Sequence, residues 1–374
     1  MKSIAFNLGC DFSDEHTLAI RKLVECTSLE NSRYIGSVYG SPGGIVNPFG
    51  STRPLKRETQ ISKKTFETNV KMLTGLGLKI NFAFNSLFPH KRVITNKGYN
   101  KNVFDSDETL RIFEGVIDYL KGLGINTFIL AHPMLVDYFH NHSIGNNTQI
   151  ILSTIMNVHS LSQLLWIRKN WPRVIRICPA LWLNRKLEWL AAANEIIALE
   201  PLVNEFCSIG GVECEGLYRQ ACYMSQTMDI TWNPMLSRCI KSRVQEPWSW
   251  LMAKFILPQW ISYYFNSTGI SNYKITGRTH NVRFVKYIGE SYLNGTVKGN
   301  LLSLWGHLEA TLNKANWAKE QLLATSKTII DIDDVVPLLE QFRTCDENRC
   351  RIDCTFCERF LKGLDNAKKE HKSQ

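Results

Sequence analysis

Short apolar runs rich in β-forming residues alternate with loops and amphipathic stretches, and this alternation constrains the fold most strongly. Eight runs are predicted as strands: 4–9, 34–39, 79–85, 127–131, 149–153, 174–178, 199–203 and 273–276. Amphipathic stretches such as 65–76 and 110–123 are predicted as helices that stop near Gly77 and Gly124. Eight such units closing on themselves predict an α/β fold, a TIM-type (β/α)8 barrel. A doubly wound open sheet is the alternative.

The alternation of strands and helices stops after about residue 305, which predicts two parts. Residues 1–305 are predicted to form the barrel, and residues 306–374 a helical C-terminal extension with a cysteine group and a basic tail. The connections 40–54 and 204–272 are longer than barrel loops require. Loops after strands build the active site of a TIM barrel, so both are predicted to be functional. Trp248, Trp250 and Trp260 are predicted to pack the second connection against the barrel, with stacking of nucleobases as the alternative.

The composition is that of a packed globular protein, with 44% hydrophobic and 21% charged residues. No apolar run reaches the ~20 residues that span a bilayer, and the N-terminus does not resemble a secretory signal. We therefore expect a cytoplasmic protein without a membrane span. The formal net charge of +10 favours an anionic partner, either a small molecule or RNA.

Eight of the 11 cysteines fall into two groups, whereas Cys10, Cys26 and Cys178 are scattered. Without an export signal, grouped cysteines indicate metal binding more often than disulfides. The first group is Cys207, Cys214, Cys222 and Cys239. Four thiolates in a loop that contains glycine suit a 4Fe-4S cluster. The spacing is not that of a ferredoxin, so spacing alone leaves buried thiols as an equal alternative.

The second group holds four cysteines within a short segment that ends in Cys-x-x-Cys. Its members are Cys345, Cys350, Cys354 and Cys357. Such a segment predicts a second 4Fe-4S cluster or a structural Zn²⁺, because both accept four thiolates. Disulfides, or one site shared with the first group, are the remaining alternatives.

Three motifs resemble the peptidase U-32 family, also called collagenase-like peptidases. They are 199–207, with the Cys-x6-Cys step that follows, Tyr218-Arg219, and Lys-Ile-Thr-Gly-Arg at 274–278. The resemblance extends from the first strand to about residue 305 and is greatest to members that are oxygen-independent iron-sulfur hydroxylases of RNA bases or of the ubiquinone ring. It implies a 4Fe-4S cluster on Cys207, Cys214, Cys222 and Cys239. It also implies an electron donor or a related family protein as partner.

Three residues are predicted to take part in catalysis. Arg278 follows the last predicted strand, where its guanidinium could anchor an anionic substrate. Asn85 ends the third strand and could offer an amide, as could Asn7 in the first. The family has Glu where this chain has Thr276, so Glu205 or Glu200 is expected to replace it. The alternatives are a structural salt bridge for Arg278 and loop capping for the asparagines.

The main functional prediction is an iron-sulfur redox enzyme that performs oxygen-independent hydroxylation or oxygen-atom transfer on a small molecule or RNA. A peptidase of the U-32 type and an RNA-binding module with structural metal sites are the alternatives. The sequence offers no evident Ser-His-Asp or Cys-His arrangement and no His-Glu-x-x-His helix, which makes the peptidase less favoured.

Overall fold

A single parallel sheet of seven strands organises the computed structural model. The structure describes residues 3–26, 32–41, 61–84, 107–205, 207, 243, 245–277, 281–305, 330–345, 349 and 353–372. The strands are β1 (Ile4–Gly9), β2 (Arg33–Gly40), β3 (Lys79–Phe84), β4 (Thr127–Leu130), β5 (Gln149–Leu152), β6 (Val174–Ile177) and β7 (Asn272–Ile275). Their order is β6-β5-β4-β3-β2-β1-β7. Every neighbouring pair is parallel, as the alternating sequence predicts.

Helices follow most of the strands and cover the outer face of the sheet. They are α1 (Asp14–Glu25), α2 (Lys63–Gly75), α3 (Asp107–Gly122), α4 (Pro133–Asn141), α5 (Leu161–Asn170), α6 (Leu187–Ile196), α7 (Ile261–Thr268), α8 (Val282–Asn294), α9 (Ile332–Val335), α10 (Leu339–Arg343) and α11 (Phe356–Lys372). Both predicted helices are present and begin two to three residues earlier than the apolar pattern suggested, at Lys63 and Asp107. In the described residues no helix is both long and apolar enough to cross a membrane.

Residues 199–203 lie between the two edge strands and bridge to both of them. Leu199 forms a parallel bridge with Ile177 of β6, and Leu202 forms one with Lys274 of β7. The backbone N–H of Glu200 donates to the Ile177 carbonyl at 2.8 Å, and that of Val203 donates to the Lys274 carbonyl at 2.9 Å. The predicted strand 199–203 is therefore present as two isolated bridges. Pro201, in its middle, has no N–H to donate to a continuous ladder.

The main core lies between the sheet and the helices. Apolar residues such as Phe6, Leu8 and Phe82 point to this outer side. A separate small apolar cluster lies on the opposite, inner face and consists of Tyr39, Ala83, Ile129 and Ile151. Successive residues of a strand thus point alternately to the outer core and to the inner face.

The C-terminal segments pack against the same core as the sheet. Phe342 of α10 is buried against Phe255 and Trp260, with ring centroids 6.4 and 5.9 Å away. Trp250 is fully buried and stacks on Trp305 at 5.7 Å. Helix α11 contacts residues 247–252. Trp250 and Trp260 therefore pack in the core, as predicted, and are not exposed for stacking with nucleobases.

Candidate functional site

Polar side chains occupy the inner face of the sheet. They are Asn7, Tyr39, Asn81, Arg176 and Lys274 from the strands, together with Glu200 from the bridging segment. Their immediate neighbours along the chain, such as Phe6, Phe82 and Tyr273, belong to the outer core. The period-two alternation of a strand therefore directs the polar residues inward.

Glu200 is the most deeply buried member of this face, with no solvent exposure. Its Oε1 accepts a hydrogen bond from Nδ2 of Asn7 at 2.9 Å. Its Oε2 accepts one from Nη1 of Arg176 at 2.6 Å, which makes an ion pair. Both carboxylate oxygens are engaged, so the guanidinium offsets the cost of burying this charge.

The same contacts show that the sheet is curled. Strands β1 and β6 are separated by four other strands in the sheet, yet Asn7 and Arg176 both reach one carboxylate. A flat sheet would place strands five steps apart at more than 20 Å, given ~4.8 Å between neighbours. The protein therefore has an α/β fold with a curled parallel sheet and a concave polar inner face.

Lys274 provides a second cation on this face, and unlike Arg176 it is buried. Its Nζ lies 4.1 Å from the centre of the Tyr39 ring, a cation–π contact. The Tyr39 hydroxyl donates to the Ile275 carbonyl at 3.2 Å, which fixes the ring. Burial raises the pKa of the nearby Cys178 thiol to about 12, and Lys274 opposes this shift while Glu200 adds to it. Cys178 therefore stays a neutral thiol at ordinary pH.

Two amide atoms on the inner face are open to further hydrogen bonds. Within the part of the chain that the structure describes, neither Nδ2 of Asn81 nor Oδ1 of Asn7 has a hydrogen-bond partner, although both residues are buried. Buried polar atoms are normally satisfied by protein, water or ligand. One donor and one acceptor are thus available to a bound molecule.

Cys207 marks the rim of the inner face and begins the first cysteine group. It is half-buried and packs against Cys178, Leu181 and Leu202. The Glu205 carboxylate accepts a hydrogen bond from the Cys207 backbone N–H at 3.3 Å. Asn204 ties this segment to β7, because its Oδ1 accepts from the Thr276 N–H at 2.7 Å. Glu205 and Cys207 are therefore held close together at the end of the bridging segment.

Several predicted site residues lie outside the described residues. They are Arg278, Asn85, Cys214, Cys222, Cys239 and Cys350. The second cysteine group is described at Cys345, Cys354 and Cys357: the first and third of these pack against the main core, and Cys354 is exposed. Nζ of Lys186 donates to the Cys345 carbonyl at 3.3 Å. The predicted role of these thiols as metal ligands stays a prediction.

No role is predicted from the sequence for Arg176 and Asn81, and Lys274 is named only as the first residue of the motif at 274–278. Each lies between two apolar residues of a short strand. Parallel strands are normally continuous apolar runs, because both faces of the sheet are covered. A polar residue within such a strand was therefore the signal that could have predicted these positions. Asn7 was noted, and its amide binds Glu200 rather than standing alone.

The comparisons with known proteins give one sequence relative and several weak structural likenesses. No known protein-family profile matches the chain. The chain is similar to an uncharacterized protease, MJ1657, of Methanocaldococcus jannaschii, with 28% identity over 196 residues. This match covers 50% of the chain and 55% of the relative, so the chain spans about half the length of the curated relative.

Two solved structures illustrate the structural likenesses. The U32 peptidase Mk0906 shares 12% identity and a TM-score of 0.44, over 74% of this chain and 93% of that one. N-acetylneuraminate lyase from Fusobacterium nucleatum shares 12% identity and a TM-score of 0.35, over 91% and 86%. At these scores neither likeness assigns a fold or an activity.

Proposed function

We propose that this chain is an enzyme of the U32 peptidase type that binds its substrate on the inner face of the curled sheet. In this proposal residues 199–203 act as the seventh strand of a (β/α)8 barrel. The observation that carries it is the buried carboxylate of Glu200, held by two strands far apart in the sheet. Barrel interiors are usually filled by branched apolar residues, so a buried charged network there points to a binding or catalytic role. The similarity to a protease supports the same reading.

The inner face is suited to a substrate that is rich in carbonyl or carboxylate oxygens. Lys274 offers a positive charge, and Asn81 offers an amide donor. A peptide backbone presents both carbonyl acceptors and N–H donors, which are the partners that these groups require. Arg278 and Asn85 follow β7 and β3 closely in sequence, and we propose them as further contacts to an anionic or polar end of the substrate.

In peptide hydrolysis, Glu200 and Glu205 would have different roles. Both oxygens of Glu200 are occupied, so we assign it the positioning of Arg176 and Asn7. Glu205 lies at the rim and is partly exposed, and we propose that it takes the proton of the attacking water. The water oxygen bonds to the peptide carbonyl carbon, the C–N bond breaks, and Glu205 returns the proton to the nitrogen of the leaving amine. Lys274 would stabilise the negative charge that develops on the carbonyl oxygen.

The second candidate is an iron-sulfur redox enzyme that hydroxylates a small molecule or RNA without dioxygen in the cytoplasm. It is favoured by the position of Cys207, whose side chain packs beside Cys178 at the rim of the polar face. With Cys214, Cys222 and Cys239, Cys207 would hold a 4Fe-4S cluster, which supplies one-electron transfer. The C-terminal cysteines would hold a second cluster or Zn²⁺. An electron-donor protein would be its partner.

Replacing Lys274 by Met tests the proposed site, because Met has a similar length and no charge. We expect Lys274→Met to lower kcat/KM for cleavage of a peptide library at least ~10-fold, through the lost stabilisation of the carbonyl oxygen. The control is Lys79→Met, which changes an exposed lysine at the other end of a strand. Full activity of Lys274→Met would show that Lys274 and the inner face take no part in catalysis. A wild-type protein that cleaves no peptide but contains four iron and four sulfide per cluster would favour the second candidate.

A further inference from the structure

A group of three metal-binding side chains lies at the carboxyl end of β1, outside both cysteine groups. Cys10, Asp11 and His16 are all buried, and their ligand atoms lie within 4.8 Å of one another. We propose that these three residues bind a divalent transition-metal ion, with Zn²⁺ preferred. The proposal does not depend on the peptidase reading, because it rests only on the loop after β1 and the first turn of α1.

The donor set and its dimensions suit zinc. One thiolate, one imidazole and one carboxylate are the three ligand types that Zn²⁺ accepts. With bonds of about 2.0–2.3 Å, tetrahedral ligand atoms lie about 3.3–3.7 Å apart. Oδ1 of Asp11 and Nδ1 of His16 already lie 3.3 Å apart. All three ligand atoms lie within 4.8 Å of one another, so the sulfur needs to move by at most about 1 Å to complete the geometry. Three protein ligands leave the fourth position for water or substrate, as in catalytic zinc sites.

The backbone of the loop is arranged around the two anionic donors. The Phe12 N–H donates to Sγ of Cys10 at 3.2 Å, and the Ser13 N–H donates to Oδ1 of Asp11 at 2.9 Å. Such donors stabilise a thiolate and a carboxylate and orient them, which is the usual role of groups around a metal site. These hydrogen bonds hold the sulfur and the carboxylate oxygen in place. Burial and the Asp11 charge raise the pKa of the Cys10 thiol, so a bound metal would have to displace its proton.

The loop adopts a rare conformation to bring its donors together. Phe12 lies in the left-handed region at φ 62°, which is uncommon for a bulky residue. Its carbonyl accepts from Nδ2 of Asn69 at 2.9 Å, and its ring packs edge-on against Phe66 at 5.1 Å. A Cβ on Gly40 would lie 1.9 Å from the Cys10 carbonyl oxygen, so only glycine allows β2 to end here. Strain of this kind is concentrated at functional sites.

The alternative is that no metal binds and that His16 and Asp11 only form an ion pair near the start of α1. That arrangement needs no sulfur, whereas a metal site needs all three side chains. The two readings therefore differ in what happens when Cys10 is replaced. The N-cap of α1 is Ser13, whose own side chain accepts from the His16 N–H, so the Cys10 sulfur is not needed to cap that helix.

Zinc counting on the full chain tests the proposal. The protein is stripped with a chelator, loaded with excess ZnCl2, desalted and analysed by mass spectrometry for zinc per chain. We expect Cys10→Ser and His16→Gln each to hold one zinc fewer than the wild type. Cys26→Ser, which changes an exposed cysteine after α1, is the matched control and should keep the wild-type count. Taking differences removes the contribution of zinc bound at the other cysteine groups.

Asp11→Asn keeps the proposal testable if Cys10→Ser does not fold. The amide oxygen still accepts from the Ser13 N–H, so the loop should persist, while the loss of charge should weaken zinc binding at least ~10-fold. Zinc should also raise the Tm of the wild type by at least about 2 °C more than that of Asp11→Asn. An unchanged zinc count in Cys10→Ser and His16→Gln, or equal zinc responses of the wild type and Asp11→Asn, would overturn the proposal.

Discussion

Glu200 and Arg176 form an ion pair whose two partners differ in their access to water. The Glu200 side chain is 0% exposed, and the Arg176 side chain is 20% exposed. A charge that loses its partner in a fully buried position keeps the whole cost of desolvation, whereas one near the surface can turn towards solvent. The two residues should therefore respond unequally to removal of the other.

We predict that Arg176→Met destabilises the protein more than Glu200→Gln does. Among the described residues, Arg176→Met leaves the buried carboxylate with the Asn7 amide as its hydrogen-bond partner, and should lower the free energy of unfolding by about 3–5 kcal/mol. Glu200→Gln leaves an arginine that can reach water, and should lower it by about 1–2 kcal/mol. Urea unfolding of both variants measures the difference. The double variant should lose less than the sum of the two; equal losses in both single variants would show that Glu200 is not isolated from water.

At the scale of single residues, the sequence indicates which polar residues matter but not which of them contact each other. Asn7 and Glu200 were both noted as polar residues of interest, but nothing in the chain relates residue 7 to residue 200. Their contact arises because the sheet curls, which is a property of seven strands together. Cys10 is distant from the other cysteines in the sequence, and the metal-binding residues near it, Asp11 and His16, are of other types. A search for mixed donors around the end of β1 would have found the group.

At the scale of elements, the strand prediction is confirmed for the seven strands of the sheet, with ends that differ by at most one residue. These segments are apolar, are bounded by turns, and lie in the sequence as βα units require. Residues 199–203 differ because Pro201 interrupts their N–H donors. The helices α2 and α3 begin earlier than the apolar pattern, since polar first-turn residues carry no periodic signal.

Asn204 fastens the bridging segment to β7, and we predict that its removal loosens that edge. Its Oδ1 accepts from the Thr276 N–H at 2.7 Å, and its Nδ2 donates to the carbonyls of Thr276 and Leu304 at 3.2 and 3.4 Å. Asn204→Ala leaves these groups unsatisfied and should lower the free energy of unfolding by about 2–3 kcal/mol. Asn170→Ala, which removes an exposed amide at the end of α5, should have almost no effect. Equal unfolding midpoints in urea for the two variants would contradict this role.

At the scale of the whole molecule, the segments after residue 305 share the core of the sheet. Ile330, Ile332, Val335 and Phe342 are buried in the same cluster as the strands. Nε1 of Trp260 donates to the Val336 carbonyl at 3.0 Å, and the guanidinium of Arg185 lies 3.9 Å from the Phe342 ring centre. Asn300 and Asp331 form an antiparallel bridge. These contacts cross the domain boundary predicted at residue 305.

A chain that ends at residue 305 should therefore not form a stable sheet domain. The four almost fully buried side chains named above are worth about 1.5–3 kcal/mol each, or about 6–12 kcal/mol together, and the truncated chain loses all of them. A typical domain is stable by only about 5–15 kcal/mol, so most of the margin disappears. Circular dichroism during heating should show no cooperative transition, or one at a much lower temperature than the full chain.

Two point variants of the full chain separate lost packing from the effect of truncation itself. Phe342→Ala should lower the free energy of unfolding by about 3–5 kcal/mol, because the side chain is 1% exposed and fills a space between Phe255 and Trp260. Phe360→Ala, which changes a half-buried ring on α11, should lower it by less than half of that amount. If residues 1–305 unfold at the same temperature as the full chain, then the segments after residue 305 do not support the sheet, and the boundary predicted from the sequence marks an independent domain.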